Sequence, residues 1–196
     1  MNVVFTHAAD ELPPRRTFSA DDVRRMVEAG VLAEGENVEL IDGELVMMAA
    51  KGYAHEFIRQ SLLTLFIKAA PDHVMVAAEP TLQLSDTVLV EPDIVVFPRA
   101  SLVKSDAGFM HVAQGSALLA VEVAVSSMRY DKVLKAGLYA RFGVQEYWVI
   151  DANERVTWVH TGPEQQGWAS VVERSPDDTL TPPALPSLSV RLAGLD

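Results

Sequence analysis

Helical and strand periodicities follow one another along this chain in an order that predicts an α/β fold of the mixed α+β kind, with a central mixed sheet flanked by helices. Two observations carry the prediction. The apolar pattern runs helix, hairpin, helix, several strands, helix, several strands. The chain's 196 residues, 49% of them hydrophobic, suffice for one domain with a substantial core. No internal repeat or low-complexity tract interrupts the order.

Residues 1–16 are polar, end in Pro13-Pro14-Arg15-Arg16 and read as a flexible arm, which leaves 17–196 as a single domain. Ser19 is placed to cap a helix over about 20–29, with Asp21 and Asp22 favouring its positive end. Val23, Met26 and Val27 form its inward stripe, and Gly30 ends it. Asp42-Gly43 within VELIDGELVMM marks a hairpin, whose alternation puts Glu39 and Ile41 on one face. His55 opens a helix over about 54–69, with Phe57, Ile58, Leu62, Leu65 and Phe66 available to pack.

VMVAAE and TLQLS read as strands at about 74–79 and 81–85. The strand with Asp93 (VEPDIVVF) comes next, then a polar loop over about 98–114 long enough for a functional flap, then the strand with Glu122 (LLAVEVAV). A helix over about 130–142 stops at Gly143, and QEYWVID is a strand by its aromatic and β-branched content. RVTWVH and WASVVER follow as strands, joined by a turn at Gly162-Pro163. The proline-spaced tail ends in LPSLSVRL, read as an edge strand.

Composition narrows the function. Without cysteine there is no disulfide framework, thiolate zinc site or cysteine nucleophile. The N-terminus lacks the basic-then-apolar pattern of a secretion signal, and no apolar run is long enough to span a bilayer. A cytoplasmic protein with no membrane partner is the expectation. The net charge of −11 argues against a general binder of phosphate backbones. Yet Arg129, Lys132, Lys135 and Arg141 face only Asp131 in their segment, which leaves a local basic strip beside the Glu122 strand.

Asp93 and Glu122 each sit among apolar residues, where an unpaired carboxylate is costly unless a cation neutralises it. Two such acids followed by a positioned lysine suit a divalent ion at a hydrolytic centre, since magnesium prefers oxygen ligands and retains waters. Lys135 lies on the helix after the Glu122 strand, with Asp131 and Tyr139 four residues to either side on one face. Asp131 would hold the lysine and Tyr139 would pack it.

Each residue also has a plainer reading. Asp93 can cap a turn, Glu122 can pair with an arginine, and Glu39 can be a cross-strand partner. Lys135 can form a surface pair with Asp131 worth about 0.3–0.5 kcal/mol. His55 reads as a polar helix start, and the other histidines show no metal-ligand spacing. Ser126-Ser127 has no nucleophile signature.

The words ELIDGEL, EPDIVVF, AVEVAVSS, YDKVLKAGLYARFGV and QEYWVID, in that order over about residues 17–192, resemble the Uma2 family of restriction-endonuclease-like proteins. That family lies within the PD-(D/E)xK nuclease superfamily. The resemblance implies a restriction-endonuclease-like core and Mg2+-dependent hydrolysis of phosphodiester bonds in DNA, with Mn2+ as a possible substitute. It puts the superfamily aspartate on Asp93, after Pro92, and the second acid on Glu122. Glu39 becomes an early acid that assists the metal or its waters. Asp93, Glu122 and the main-chain carbonyl of Val123 would bind the ion.

The lysine two places after the second acid is absent, since Ala124 stands there. Lys135 on the next helix is its counterpart and would orient the attacking water. The proline that the family shows near Ser126 is also missing. A homodimer is expected, because cutting two strands often needs two sites. The rival reading is a non-catalytic nucleic-acid-binding or protein-interaction module on the same fold. Geometry separates the two: a Lys135 amine beyond about 6 Å from both acids would tell against hydrolysis.

Overall fold

The computed structural model describes residues 15–33 and 36–195. The arm expected over 1–16 lies outside that range apart from Arg15 and Arg16. The first helix, α1 (Ala20–Glu28), begins with a capping box. Ser19 Oγ accepts the Asp22 N–H at 3.1 Å, and Asp22 Oδ2 accepts the Ser19 N–H at 3.0 Å. Val23 is buried, but Val27 is exposed, so the inward stripe is narrower than expected. Strands β1 (Val38–Ile41) and β2 (Glu44–Met47) pair across Asp42-Gly43. Both turn residues have positive φ, 49° and 86°, as a two-residue type I′ turn requires.

Helix α2 (Tyr53–Ala69) buries His55, Ile58, Arg59, Leu62 and Phe66 along one stripe. Strands β3 (Val74–Ala78), β4 (Leu82–Ser85), β5 (Val88–Val90) and β6 (Ile94–Pro98) follow. Asp93 is therefore not inside a strand; it stands in the break between β5 and β6. The region expected as a long loop holds two short strands, β7 (Leu102–Lys104) and β8 (Met110–Val112). They pair with each other, and β8 runs parallel to β4. At three residues each, they are too short to show a period of two.

After β9 (Leu119–Ala124), a π-helical segment (Tyr130–Lys135) passes into α3 (Ala136–Arg141), where one regular helix was expected. Strands β10 (Glu146–Asp151), β11 (Thr157–Glu164) and β12 (Gly167–Arg174) complete the order. The β11–β12 turn is at Gln165-Gln166, not at Gly162-Pro163, which belongs to β11. Gly162 instead permits close strand approach: a Cβ there would lie 2.9 Å from the Ala169 Cβ. The tail forms a single bridge, Leu180 to Val190, rather than an edge strand. Its leucines matter more as packing, since Leu185, Leu188 and Leu192 join the core beneath α2.

The central sheet is mixed and six-stranded, in the order β12-β11-β10-β9-β6-β3. Only β9 and β10 run parallel in it, joined by the π segment and α3 as their crossover. A second six-stranded sheet has the order β2-β1-β5-β4-β8-β7. The two faces of the central sheet carry separate cores. Val121, Val123, Trp148 and Ile150 face α2 and the tail, whereas Ala120, Ala124, Tyr147 and Val149 face α3 and the second sheet. Alternation puts Glu122 on the second face, the one that β1 and α3 also reach. Among the described residues no helix is long and apolar enough to cross a membrane.

Candidate functional site

The site forms where two neighbouring strands part. Pairing of β6 with β9 begins at Ile94 opposite Val121, so the next N–H on that edge of β9, from Val123, has no strand partner there. Asp93 supplies one: its Oδ2 accepts the Val123 N–H at 2.7 Å. Placement just before β6, rather than within it, is what lets the Asp93 side chain reach across. A strand residue's N–H and C=O leave on the same edge, so the Val123 carbonyl also faces this gap. The gap opens into a cleft of about 190 Å³ lined by Glu39, Lys51, His55, Asp93, Glu122 and Lys135, among others.

On the other side, Lys135 is 1% exposed. Its Nζ lies 2.9 Å from Glu122 Oε1 and 2.9 Å from Glu39 Oε1. The surface-pair reading of Lys135 is thus overturned, as is any link that leaves it far from the acids. Asp131 does not hold it, but accepts a 2.6 Å bond from Ser127 Oγ. The π turn explains this difference. Its i→i+5 bonding brings residues five apart together, so Tyr130 and Lys135 become neighbours and both reach Glu39. The Lys135 amine sits 5.7 Å from the Tyr130 ring centroid, and the Tyr130 hydroxyl donates to Glu39 Oε2 at 3.0 Å. Tyr139 flanks the lysine as its spacing suggested, and its hydroxyl also donates to Glu122 Oε1, at 2.8 Å.

Glu39 is engaged at both oxygens. Oε1 takes Lys135 and the Glu91 N–H (2.8 Å), and Oε2 takes Tyr130. Glu122 differs, since all its hydrogen bonds among the described residues converge on Oε1. Its second oxygen stays available to the cleft.

Sequence reasoning missed Lys51 and Tyr130, and preferred the plainer of two readings for His55. His55 was read as a helix start, but it is buried, with Nε2 3.0 Å from Asp93 Oδ1 and 3.1 Å from Oδ2. The available signal was its register with Ile58 and Leu62, the apolar stripe of the same helix. Lys51, in the segment between β2 and α2, brings its Nζ to 3.4 Å from Asp93 Oδ1. Nothing in its local sequence marks it. Tyr130 became a site residue only through the π turn.

The electrostatics divide the two acids. Burial by itself would raise the Asp93 carboxyl, but hydrogen bonding and charge from His55, the Val123 N–H and Lys51 outweigh it and hold the group below its ordinary range. Burial pushes the Glu122 carboxyl well above its ordinary value. Lys135 opposes that rise, while the like charges of Asp93, Asp131 and Glu39 add to it. Burial also raises Asp131, again against Lys135. Lys135 is itself raised: burial opposes its charge, but Glu122, Glu39 and Asp131 more than compensate. One buried amine therefore serves more carboxyl groups than it can neutralise.

Among the described residues no set of three or more His, Cys, Asp or Glu side chains is arranged to hold an ion unaided. Within the cleft, Asp93, Glu122 and the main-chain carbonyl of Val123 make an all-oxygen set with room for water. That fits Mg2+ or Mn2+, hard ions that keep several waters, and not a thiolate or imidazole metal.

The fold defines the class, an α+β protein of two mixed six-stranded sheets flanked by three helices. The solved structure of a putative nuclease belonging to DUF820 from Anabaena variabilis has the same fold, with a TM-score of 0.70 over 91% of this chain and 97% of that one. At 19% identity the likeness is one of fold. The chain belongs to the Uma2 family, described as putative restriction endonuclease, whose pattern it matches over residues 21–193. No curated relative matches it.

Proposed function

We propose that this protein is a metal-dependent endonuclease that hydrolyses phosphodiester bonds in DNA at a PD-(D/E)xK-type site. One observation carries the reading. Asp93 bonds the N–H of Val123, the residue after Glu122, at 2.7 Å, while Lys135 lies 2.9 Å from Glu122 on the opposite side. Two acids, a carbonyl and an amine thereby share one cleft, although they come from three different segments. The lysine falls well inside the roughly 6 Å limit for direct or one-water contact.

Asp93, Glu122 and the Val123 carbonyl would hold Mg2+, or Mn2+ in its place. The bound ion would neutralise phosphoryl charge and lower the pKa of a coordinated water. The chain's own residues have distinct tasks. Asp93 is kept ionised and is a ready ligand. Glu122 is short of positive charge, so a cation beside its free oxygen would stabilise its ionised form. Lys135 stays protonated at neutral pH, so it acts as a donor that orients water and offsets developing charge, not as a base. Glu39 holds the lysine through Oε1 and would assist the metal's waters through the acceptor capacity left on Oε2.

The strip from Arg129 to Arg141 would face the incoming backbone, and a homodimer in the cytoplasm would address two strands. The alternative is a non-catalytic nucleic-acid-binding or protein-interaction module on this fold; the net charge of −11 favours the protein-interaction form. The deciding experiment incubates purified protein with single- and double-stranded DNA and RNA, with Mg2+, Mn2+ or chelator. DNA cleavage that needs the ion, and falls at least about a hundredfold in Asp93→Asn and Lys135→Met, is expected. If the wild-type protein neither cuts nor binds Mn2+, the catalytic reading is wrong.

A further inference from the structure

Lys135 is poorly placed to touch a substrate. It is sealed from solvent, and two carboxylates already hold its amine. A phosphodiester entering the cleft would meet Glu39, Glu91, Asp93, Glu122 and Asp131 along its walls. Even with a divalent ion bound, that wall repels an anion unless another cation can turn toward it. Lys51 lines the same cleft, and its side chain is 29% exposed, against 1% for Lys135.

The Lys51 amine is held, but not used up. It pairs with Glu79 and approaches Asp93 Oδ1 at 3.4 Å, which leaves one of its three N–H donors unassigned. Glu79 is itself braced. Its backbone has φ 47°, in the left-handed region that a side chain seldom adopts. Its N–H bonds the Asp93 carbonyl at 3.2 Å, and its Oε2 receives Arg59 Nη1 at 3.2 Å from the buried face of α2. Backbone strain that persists at a cleft, tied to a buried arginine, indicates a side chain held for a purpose.

We infer that Lys51 is the phosphate-contacting cation of this cleft, which grips a non-bridging oxygen of the substrate backbone while Lys135 stays on the two acids and the attacking water. Glu79 and Arg59 are positioning residues that aim it. The inference rests on the nuclease reading above, and its test separates the two. Binding of fluorescein-labelled duplex and single-stranded DNA is followed by anisotropy over a range of KCl, with Ca2+ present as a less polarising oxygen-seeking ion. Wild type, Lys51→Met and Lys51→Arg are compared, after thermal melting verifies that each folds.

The methionine variant should bind more weakly, and the slope of log K against log salt should become shallower by about 0.9, the loss of one phosphate contact. Arginine should restore the slope. If the wild type binds but Lys51→Met keeps its slope, whether or not affinity drops, Lys51 is structural and this inference fails alone. If the wild type binds no duplex and no single strand, the nuclease reading fails and this one with it.

Discussion

Replacing Lys135 with methionine tests the electrostatic logic of the cleft before any chemistry is asked of it. Methionine keeps most of the apolar stem and deletes the ammonium. Two carboxylates then lose a 2.9 Å partner, each at a buried position. Hydrogen bonds to charged groups contribute about 1.5–3 kcal/mol each, and removing one member of a buried ion pair costs about 3–5 kcal/mol. The two estimates agree on a loss of about 4 kcal/mol at neutral pH. For a protein of this size that lowers Tm by roughly 8–16 °C.

The loss should also depend on pH, in a direction fixed by Glu122. Its folded-state pKa lies above the unfolded value of about 4.3, so the folded protein takes up the proton first. Stability from such a group is present at low pH and fades as pH rises through the folded pKa. Without Lys135, the main influence holding that pKa down is gone, and the window widens upward. Urea unfolding of Lys135→Met should therefore show part of the loss recovered between about pH 8 and about pH 5.5. In a Glu122→Gln background the same substitution should cost at least about 1 kcal/mol less, because one orphaned charge is already absent. Lys135→Met within about 1 kcal/mol of the wild type near pH 8, or equally destabilised at both pH values, would refute the argument.

Three further outcomes follow from the geometry. Wild-type stability should decline as pH rises above about 10.4, the unfolded lysine value, because the raised Lys135 contributes fully only below it; thermal melts should show a shallower alkaline decline in Lys135→Met. His55→Ala should weaken Mn2+ binding about 10- to 100-fold in a calorimetric titration, since it removes the group that orients the Asp93 carboxylate. Ser19→Ala should cost about 1 kcal/mol in urea unfolding by breaking the α1 capping box, with cleavage per folded molecule unchanged.

What could be read from the chain depended on how local the causes were. The Ser19 cap, the Asp42-Gly43 turn and the α2 stripe are set by neighbours within a few residues, and each formed as expected. Glu122 was legible because a carboxylate amid LLAVEVAV must find a partner somewhere. Its partners were only partly legible. Tyr139 followed from helical spacing, but the π turn broke the spacing that would have linked Asp131 to Lys135 and put Tyr130 on Glu39 instead. Asp93 owes its geometry to the divergence of β6 from β9, a tertiary feature without a local signature. Lys51 and Glu79 meet only because the segment before α2 crosses the end of β3. The short strands β7 and β8 are stabilised by pairing with each other and with β4, so no period within them could announce them.

The most direct test of the metal-site claim is a crystal of the protein soaked in Mn2+, examined for anomalous scattering. The account predicts one ion between Asp93 and Glu122, within about 2.0–2.3 Å of a carboxylate oxygen of each and of the Val123 carbonyl, its remaining positions filled by water. Lys135 should stay on Glu122 Oε1 while the free oxygen turns to the ion. An ion bound elsewhere, or an empty cleft at millimolar Mn2+ with the Asp93–Val123 and Lys135–Glu122 contacts intact, would contradict it.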